Sequence, residues 1–111
     1  MVGSFREEVY QIVRKVPKGK VNTYGEIARM IHLRGEKFSH LGGGNLPRIV
    51  GWMLHQNRDP QVPCHRVVDR NGRLAPNFGF GGAIEQKRRL ESENVTFIDD
   101  SHVDLKACLD L

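Results

Sequence analysis

Cys64 and His65 stand side by side in the stretch QVPCHRVVDRNG (61–72), with Pro63 ahead of them and Val67–Val68 behind. Three chemical fates are open to such a pair. The thiol can be an activated nucleophile, because a nearby imidazole, basic side chains or a helix dipole lowers its pKa from about 8.5. The two side chains can be half of a zinc site. Or the cysteine can be buried and inert, as most free cysteines are. Zinc sites use paired C-x₂₋₄-C or H-x₃₋₅-H spacings. Here Cys and His are adjacent, Cys108 lies 44 positions on, and His32, His40, His55 and His102 are scattered. No metal is therefore expected. The nucleophile needs more than adjacency, since neighbours in a regular strand point to opposite faces. Pro63 favours a local break from regular pairing, and a buried carboxylate on the imidazole would complete a relay. Periodicity does not select one of the 13 acidic residues. On the residues alone, nucleophile and inert cysteine both stay open.

The elements that must position this pair are legible as amphipathic segments. SFREEVYQIVRKV (4–16) opens with a capping box, Ser4 and Glu7, and spaces Phe5, Val9, Ile12, Val13 and Val16 on one helical face. PKGK (17–20) ends that helix. A second capping box, Thr23 and Glu26, starts a helix over 23–32 that buries Ile27, Met30 and Ile31. A loop over 33–44, rich in glycine and charge, leads to a third helix over 46–57, capped by Asn45 and with Pro47 in its first turn. Ile49 stacks on Met53 and Val50 on Leu54, leaving Arg48, Gly51, Trp52 and His55 largely on the other side. Two short helices with an exposed Arg and a Gly one turn apart suit a helix-turn-helix, although the loop is longer than the tight turn of its simplest form. Gly51 either admits a phosphate backbone or lets two helices pack.

Beyond these, 61–76 reads as extended around a turn at DRNG (69–72). NFGFGG (77–82) is a glycine-rich loop without phosphate-binding spacing, and a last helix covers about 83–93. Residues 98–111 read as a tail appended to a single domain, with a small hairpin or edge piece. The 111 residues suffice for one modest core. Residues 1–84 carry 13 Lys/Arg against 6 Asp/Glu, whereas 85–111 carry 4 against 7. A basic body with an acidic tail points toward a polyanionic partner, nucleic acid first. Neither a secretory signal nor a membrane-spanning run is present, so a cytoplasmic, reducing setting with free thiols is expected, nucleoid-associated if the source is bacterial.

Taken together, VPCHRVV (62–68), GKVNTYGEIA (19–28), PRIVGWMLHQN (47–57), NG (71–72), GG (81–82) and Glu93 before NVTF resemble, in order, the O6-alkylguanine-DNA alkyltransferases. The resemblance spans about residues 5–97. It implies a mixed α/β, mostly α, winged-helix-like DNA-binding domain with a helix-turn-helix. The implied activity is that of a single-turnover methylated-DNA–protein-cysteine methyltransferase without a cofactor. Its partner would be duplex DNA containing O6-alkylguanine; a monomer is expected, with repair-pathway proteins as further partners.

By the same resemblance, Cys64 takes the alkyl group, His65 deprotonates it through a water, and Glu93 orients the imidazole. Tyr24 hydrogen-bonds the flipped base, Arg48 is the finger that fills the duplex gap, and Asn57 ties the third helix to the active-site turn. Thr23, Asn45, Gly51 and Trp52 join Tyr24 and Arg48 on the DNA-binding surface. Pro63, Val67, Val68, Phe80 and Gly81 form the substrate pocket. Family members often carry Tyr–Ser before Gly–Gly, where this chain has Gly79–Phe80, and the family's N-terminal ribonuclease-H-like domain has no counterpart here. The length and the tail are also similar to alkyltransferase-like proteins, which bind alkylated DNA but generally carry Trp or Ala in place of the cysteine. Their function, flagging O6-alkylguanine for other repair factors without transfer, is the alternative. A helix-turn-helix regulator with an inert cysteine is the third reading.

Overall fold

The computed structural model describes residues 5–33 and 45–110. The apolar stripe of the first segment forms α1, Phe5–Arg14, which buries Val9, Ile12 and Val13. It stops short of the expected Val16. The last turn tightens into i→i−3 bonds, from Lys15 N to Ile12 O (3.1 Å) and from Val16 N to Val13 O (3.0 Å). Ser4, its expected cap, lies outside the described residues. β1, Asn22–Thr23, leads directly into α2, Tyr24–Leu33. Thr23 Oγ1 accepts from Glu26 N at 3.1 Å, so the cap is made. The reciprocal half of the box is not: Glu26 pairs with Arg29, and Thr23 N donates to Asn22 Oδ1 instead.

α3, Leu46–His55, carries Pro47 in its first turn and buries Leu46, Val50 and Leu54, with Ile49 and Met53 half-buried. Asn45 precedes it with helical φ/ψ and makes no side-chain cap bond; only its carbonyl engages the helix, accepting from Ile49 N. A cap needs extended φ/ψ to aim its side chain at the free N–H groups, and Asn45 lacks that conformation. α1, α2 and α3 pack around one apolar cluster that includes Ile27, Ile31, Val50, Val62 and Val67. Each fully buried Ile or Val contributes about 1.5–3 kcal/mol relative to exposure. The expected loop over 33–44 lies, but for Leu33 at the end of α2, outside the described residues.

The stretch expected to be extended is mostly not. Cys64–Arg66 form a 3₁₀ turn, and only Val67–Val68 extend, as β2. β2 pairs in parallel with β1, Asn22 opposite Val67 and Thr23 opposite Val68. α4, Gly82–Ser92, follows the glycine-rich loop. Two residues past its end, Asn94 has a φ of 66° that lets Val95 N return to Leu90 O at 3.0 Å.

The last residues form an antiparallel hairpin, β3 (Phe97–Asp99) with β4 (His102–Val103), then a short α5, Leu105–Cys108. They are built in rather than appended. Val103 and Cys108 are buried with Val21, Val68, Leu74, Leu90 and Val95 in a second cluster, and Val21 N donates to Cys108 O. The turn at 69–72 locks to this hairpin through Val103 N to Gly72 O at 2.8 Å. Gly72 has φ +84°, and a Cβ there would lie 2.4 Å from Val103 O. Gly72→Ala should therefore cost about 2–4 kcal/mol of stability, read as a lower midpoint in a urea melt. An unchanged midpoint would mean the turn can shift at no cost.

Candidate active site

Asn57 links the end of α3 to the 3₁₀ turn. It is buried, accepts from Asp59 N at 2.9 Å, and divides its N–H groups among Asp59 O (3.1 Å), Val62 O (3.3 Å) and Cys64 Sγ (3.5 Å). Burial pushes the Cys64 thiol above its ordinary range, against the lowering effect of the Asn57 bond and of the Arg89 and Arg58 charges. The resting site therefore holds a protonated thiol that needs a base.

His65 follows on the same turn. Its Nε2 lies 3.0 Å from Glu93 Oε2. An ionised carboxylate only accepts, so Nε2 carries the hydrogen and Nδ1 is left as the basic nitrogen. Glu93 is delivered by the end of α4, just ahead of the Asn94 reversal. Its carboxylate is gripped from the other side by Arg66, through Nε to Oε1 at 3.0 Å and Nη2 to Oε2 at 2.7 Å, while Arg66 Nη1 donates to Val16 O. Burial raises the Glu93 pKa, but the bonds from Arg66 and His65 outweigh it and hold the carboxyl below 4.5. Burial also depresses His65 below 6.5, against the pull of Glu93. The bidentate Arg66 neutralises much of that carboxylate, so the imidazole stays neutral near pH 7.

A cavity of about 440 Å³ opens over the thiol. Tyr24, Arg48, Gly51, Trp52, Cys64 and Asp69 are among its lining residues. Arg48 is exposed and Trp52 is 59% exposed on the outer side of α3. Tyr24 begins α2, and its phenol is pushed up to about 12 by burial, then by Asp69 and Cys64, so it stays protonated and able to donate. A Cβ on Gly51 would sit 3.7 Å from the Tyr24 ring. That is ordinary van der Waals distance, so the packing of α2 on α3 would accept a methyl group here.

The remaining expected residues go elsewhere. Val67 and Val68 are core residues of β2, buried in the two clusters, and Pro63 is buried at the entry to the turn. None of the three lines the cavity. Phe80 turns toward Arg89 and Gly81 starts α4 with φ 128°, so neither lines it. The wall is made instead by Leu74–Gly79, with Phe78 and Gly79 in it. Thr23 serves as a helix cap, and Asn45 lies exposed at the start of α3, away from the cavity lining. The departure at Gly79 has a local reason: a Cβ would meet His55 O at 2.9 Å and Arg58 Nη1 at 3.2 Å.

Sequence reasoning missed Arg66 and Gln86. Gln86 is fully buried; it donates to His65 O (3.1 Å) and Val67 O (3.0 Å) and accepts from Ala75 N (2.7 Å), joining α4, the turn and the cavity wall. It sits one turn before Leu90 on the buried face of α4, where a polar side chain carries no apolar signal. Arg66 had a signal, its place beside His65, but not a partner. Among the described residues no group of His, Cys, Asp and Glu is arranged to hold a metal ion.

A small, mostly helical domain with paired helices α2 and α3, two short sheets and a buried thiol lining a cavity defines the class of the protein. The chain belongs to the family whose model is described as 6-O-methylguanine DNA methyltransferase, DNA binding domain, which matches residues 4–95. Alkyltransferase-like protein 1 of Schizosaccharomyces pombe is 37% identical over 98 residues, covering 87% of this chain and 82% of that protein. The methylated-DNA–protein-cysteine methyltransferase of Methanopyrus kandleri is 40% identical over 84 residues, covering 75% of this chain and 52% of the relative. The chain thus spans about half of that methyltransferase. S. pombe Atl1, solved in complex with damaged DNA containing O6-carboxymethylguanine, superposes with a TM-score of 0.69 at 31% identity, covering 96% of this chain and 95% of that one. Mycobacterium tuberculosis OGT in complex with DNA gives 0.66 at 29% identity, covering 85% and 51%. These neighbours bear out the helix-turn-helix fold class.

Proposed function

We propose that the chain is a DNA-repair protein that binds duplex DNA, takes a flipped O6-alkylguanine into the cavity and transfers its alkyl group to Cys64. The observation that carries this reading is the buried thiol lining the cavity, on the same turn as an imidazole polarised by Glu93. A base inside the stack is out of reach of such a thiol, so it must rotate out, at a cost of a few kcal/mol. His65 Nδ1 takes the thiol proton through a water. The sulfur then attacks the alkyl carbon, the C–O6 bond breaks, and its electron pair stays with guanine, which takes up a proton from water as the imidazolium returns one to solvent. Protonated Tyr24 donates to the base and eases its departure. The thioether does not reverse, so each molecule acts once and no cofactor is needed.

On this reading Arg48, exposed at the rim, fills the gap in the duplex, and the basic body contacts phosphates. Arg48→Ala should weaken binding to an O6-methylguanine duplex about tenfold while changing binding to undamaged duplex much less. Equal loss on both duplexes would make Arg48 a phosphate contact only. Among the described residues no helix is long and apolar enough to cross a membrane. A nucleoid or cytoplasmic site of action suits this function.

A second reading has its own support. The similarity to alkyltransferase-like protein 1 runs over most of that protein's length, and burial keeps the thiol protonated. The chain would then bind O6-alkylguanine and flag it for other repair factors. Intact and peptide masses after mixing with a duplex carrying one O6-methylguanine separate the two. A methyl gain on the Cys64 peptide supports transfer; selective binding without gain supports the flagging role.

A further inference from the structure

Arg89 takes no part in the relay, yet α4 holds it against the cavity wall. Its Nε donates to Glu85 Oε2 at 2.8 Å, one turn back. Glu85 also takes both ends of Arg88 and is held as an anion, its carboxyl lowered to about 2 by the bonds from Arg88 and Arg89. The far side of the Arg89 guanidinium covers two rings, 5.4 Å from the Phe78 centroid and 4.9 Å from that of Phe80. Those rings lie 5.8 Å apart at 46°, so one planar cation bridges both. Phe78 lines the cavity with Cys64, and its carbonyl accepts from Gly82 N at 2.8 Å where α4 begins.

We propose that Arg89 is a positioning residue of this site: held by Glu85 and stacked on Phe78 and Phe80, its guanidinium fixes the wall of the cavity that Cys64 also lines. An arginine suits the place because a planar guanidinium stacks on rings while keeping an ion pair at its edge. Other groups also act around the thiol. Arg58 and Asn57 reach it from the end of α3, the phenols of Tyr10 and Tyr24 from α1 and α2, and His65 shares its turn. Arg89 is the cation of α4 in that set, and its charge opposes the burial that raises the thiol.

The inference rests on the transferase reading only for its consequence in repair, so its test needs no DNA. Iodoacetamide alkylation of the full chain is followed by peptide mass, separating Cys64 from Cys108, across pH 6.5–10 in wild type, Arg89→Gln and Arg89→Lys. Arg89→Gln should slow Cys64 labelling about threefold at pH 8 and move its profile toward alkaline pH. Arg89→Lys keeps the charge and should keep the profile, while losing the stack and speeding amide exchange over residues 78–82. A glutamine profile that superposes on wild type overturns the charge role. Should Arg89→Gln not fold, the lysine variant carries the test, and exchange unchanged from wild type overturns the wall-fixing role. A wild type that never gains a methyl from O6-methylguanine DNA would sink the transferase reading and leave these profiles intact.

Discussion

On the transferase reading, Cys64→Ala should remove all alkyl transfer and leave binding to an O6-methylguanine duplex within about twofold of wild type, because the sulfur would be the acceptor and other groups would hold the lesion. The expected loss is total: no second thiol can substitute. Cys108 is buried in the other cluster, where its sulfur accepts from Thr96 N at 3.3 Å. The substitution deletes one atom from a site that already has an open cavity, so stability should change by only about 1 kcal/mol. Duplex binding by fluorescence anisotropy and transfer by mass check the two halves. Residual transfer in the alanine variant would move the acceptor elsewhere. A binding loss as large as the transfer loss would mean that Cys64 shapes the lesion pocket itself.

Arg66→Met should lower stability by about 3 kcal/mol, because it leaves the Glu93 carboxylate largely buried with only a neutral imidazole for company. Both side chains of the pair are nearly buried, 12% and 10% exposed, so solvent does little to soften the loss. Glu93→Gln removes the opposite partner and should cost a similar amount. The double variant should be more stable than the sum of the two losses, since the second change removes the stranded charge. Additive losses in urea melts would show that the pair does not interact.

The same cluster sets the pH dependence. His65 and Glu93 both titrate lower in the folded protein than their ordinary 6.5 and 4.5. For such groups the unfolded chain binds protons first. The stability they lend is complete above the ordinary value and is lost as pH falls through the folded one. Unfolding free energy should therefore begin to fall below about pH 6.5 on account of His65, and fall again below about 4.5 on account of Glu93. In His65→Gln the first decline should vanish. On the transferase reading, single-turnover transfer should hold its rate through pH 6.5 and drop only as pH falls through the lower value of the folded imidazole.

Much of this protein was legible in its residues. The apolar stripes of α1, α2 and α3 could be read because a helix repeats every 3.6 residues and only one face meets the core. The Thr23 cap and the turn at 69–72 were legible for a like reason, since their signals span three or four neighbours. The order of VPCHRVV, the Tyr–Gly pair and PRIVGWM named the family, and with it the thiol and the imidazole expected to serve it. What periodicity could not supply was any pairing across the chain. Glu93 lies 28 positions from His65, and the resemblance alone singled it out before the end of α4 brought the two to 3.0 Å.

Tertiary structure decided the rest. Val67 and Val68 looked like pocket residues because they follow the thiol, yet parallel pairing with β1 turns them into the core and passes the wall to Leu74–Gly79. The tail looked peripheral because it is short and acidic, yet Val103 and Cys108 complete the second cluster. Arg66, Gln86 and Arg89 looked like ordinary polar residues, and each gained its place from partners 9 to 50 positions away. Which residues can do chemistry is a local property of side-chain type. Which carboxylate polarises the imidazole, and which rings a cation covers, depend on distances that exist only once the helices have packed.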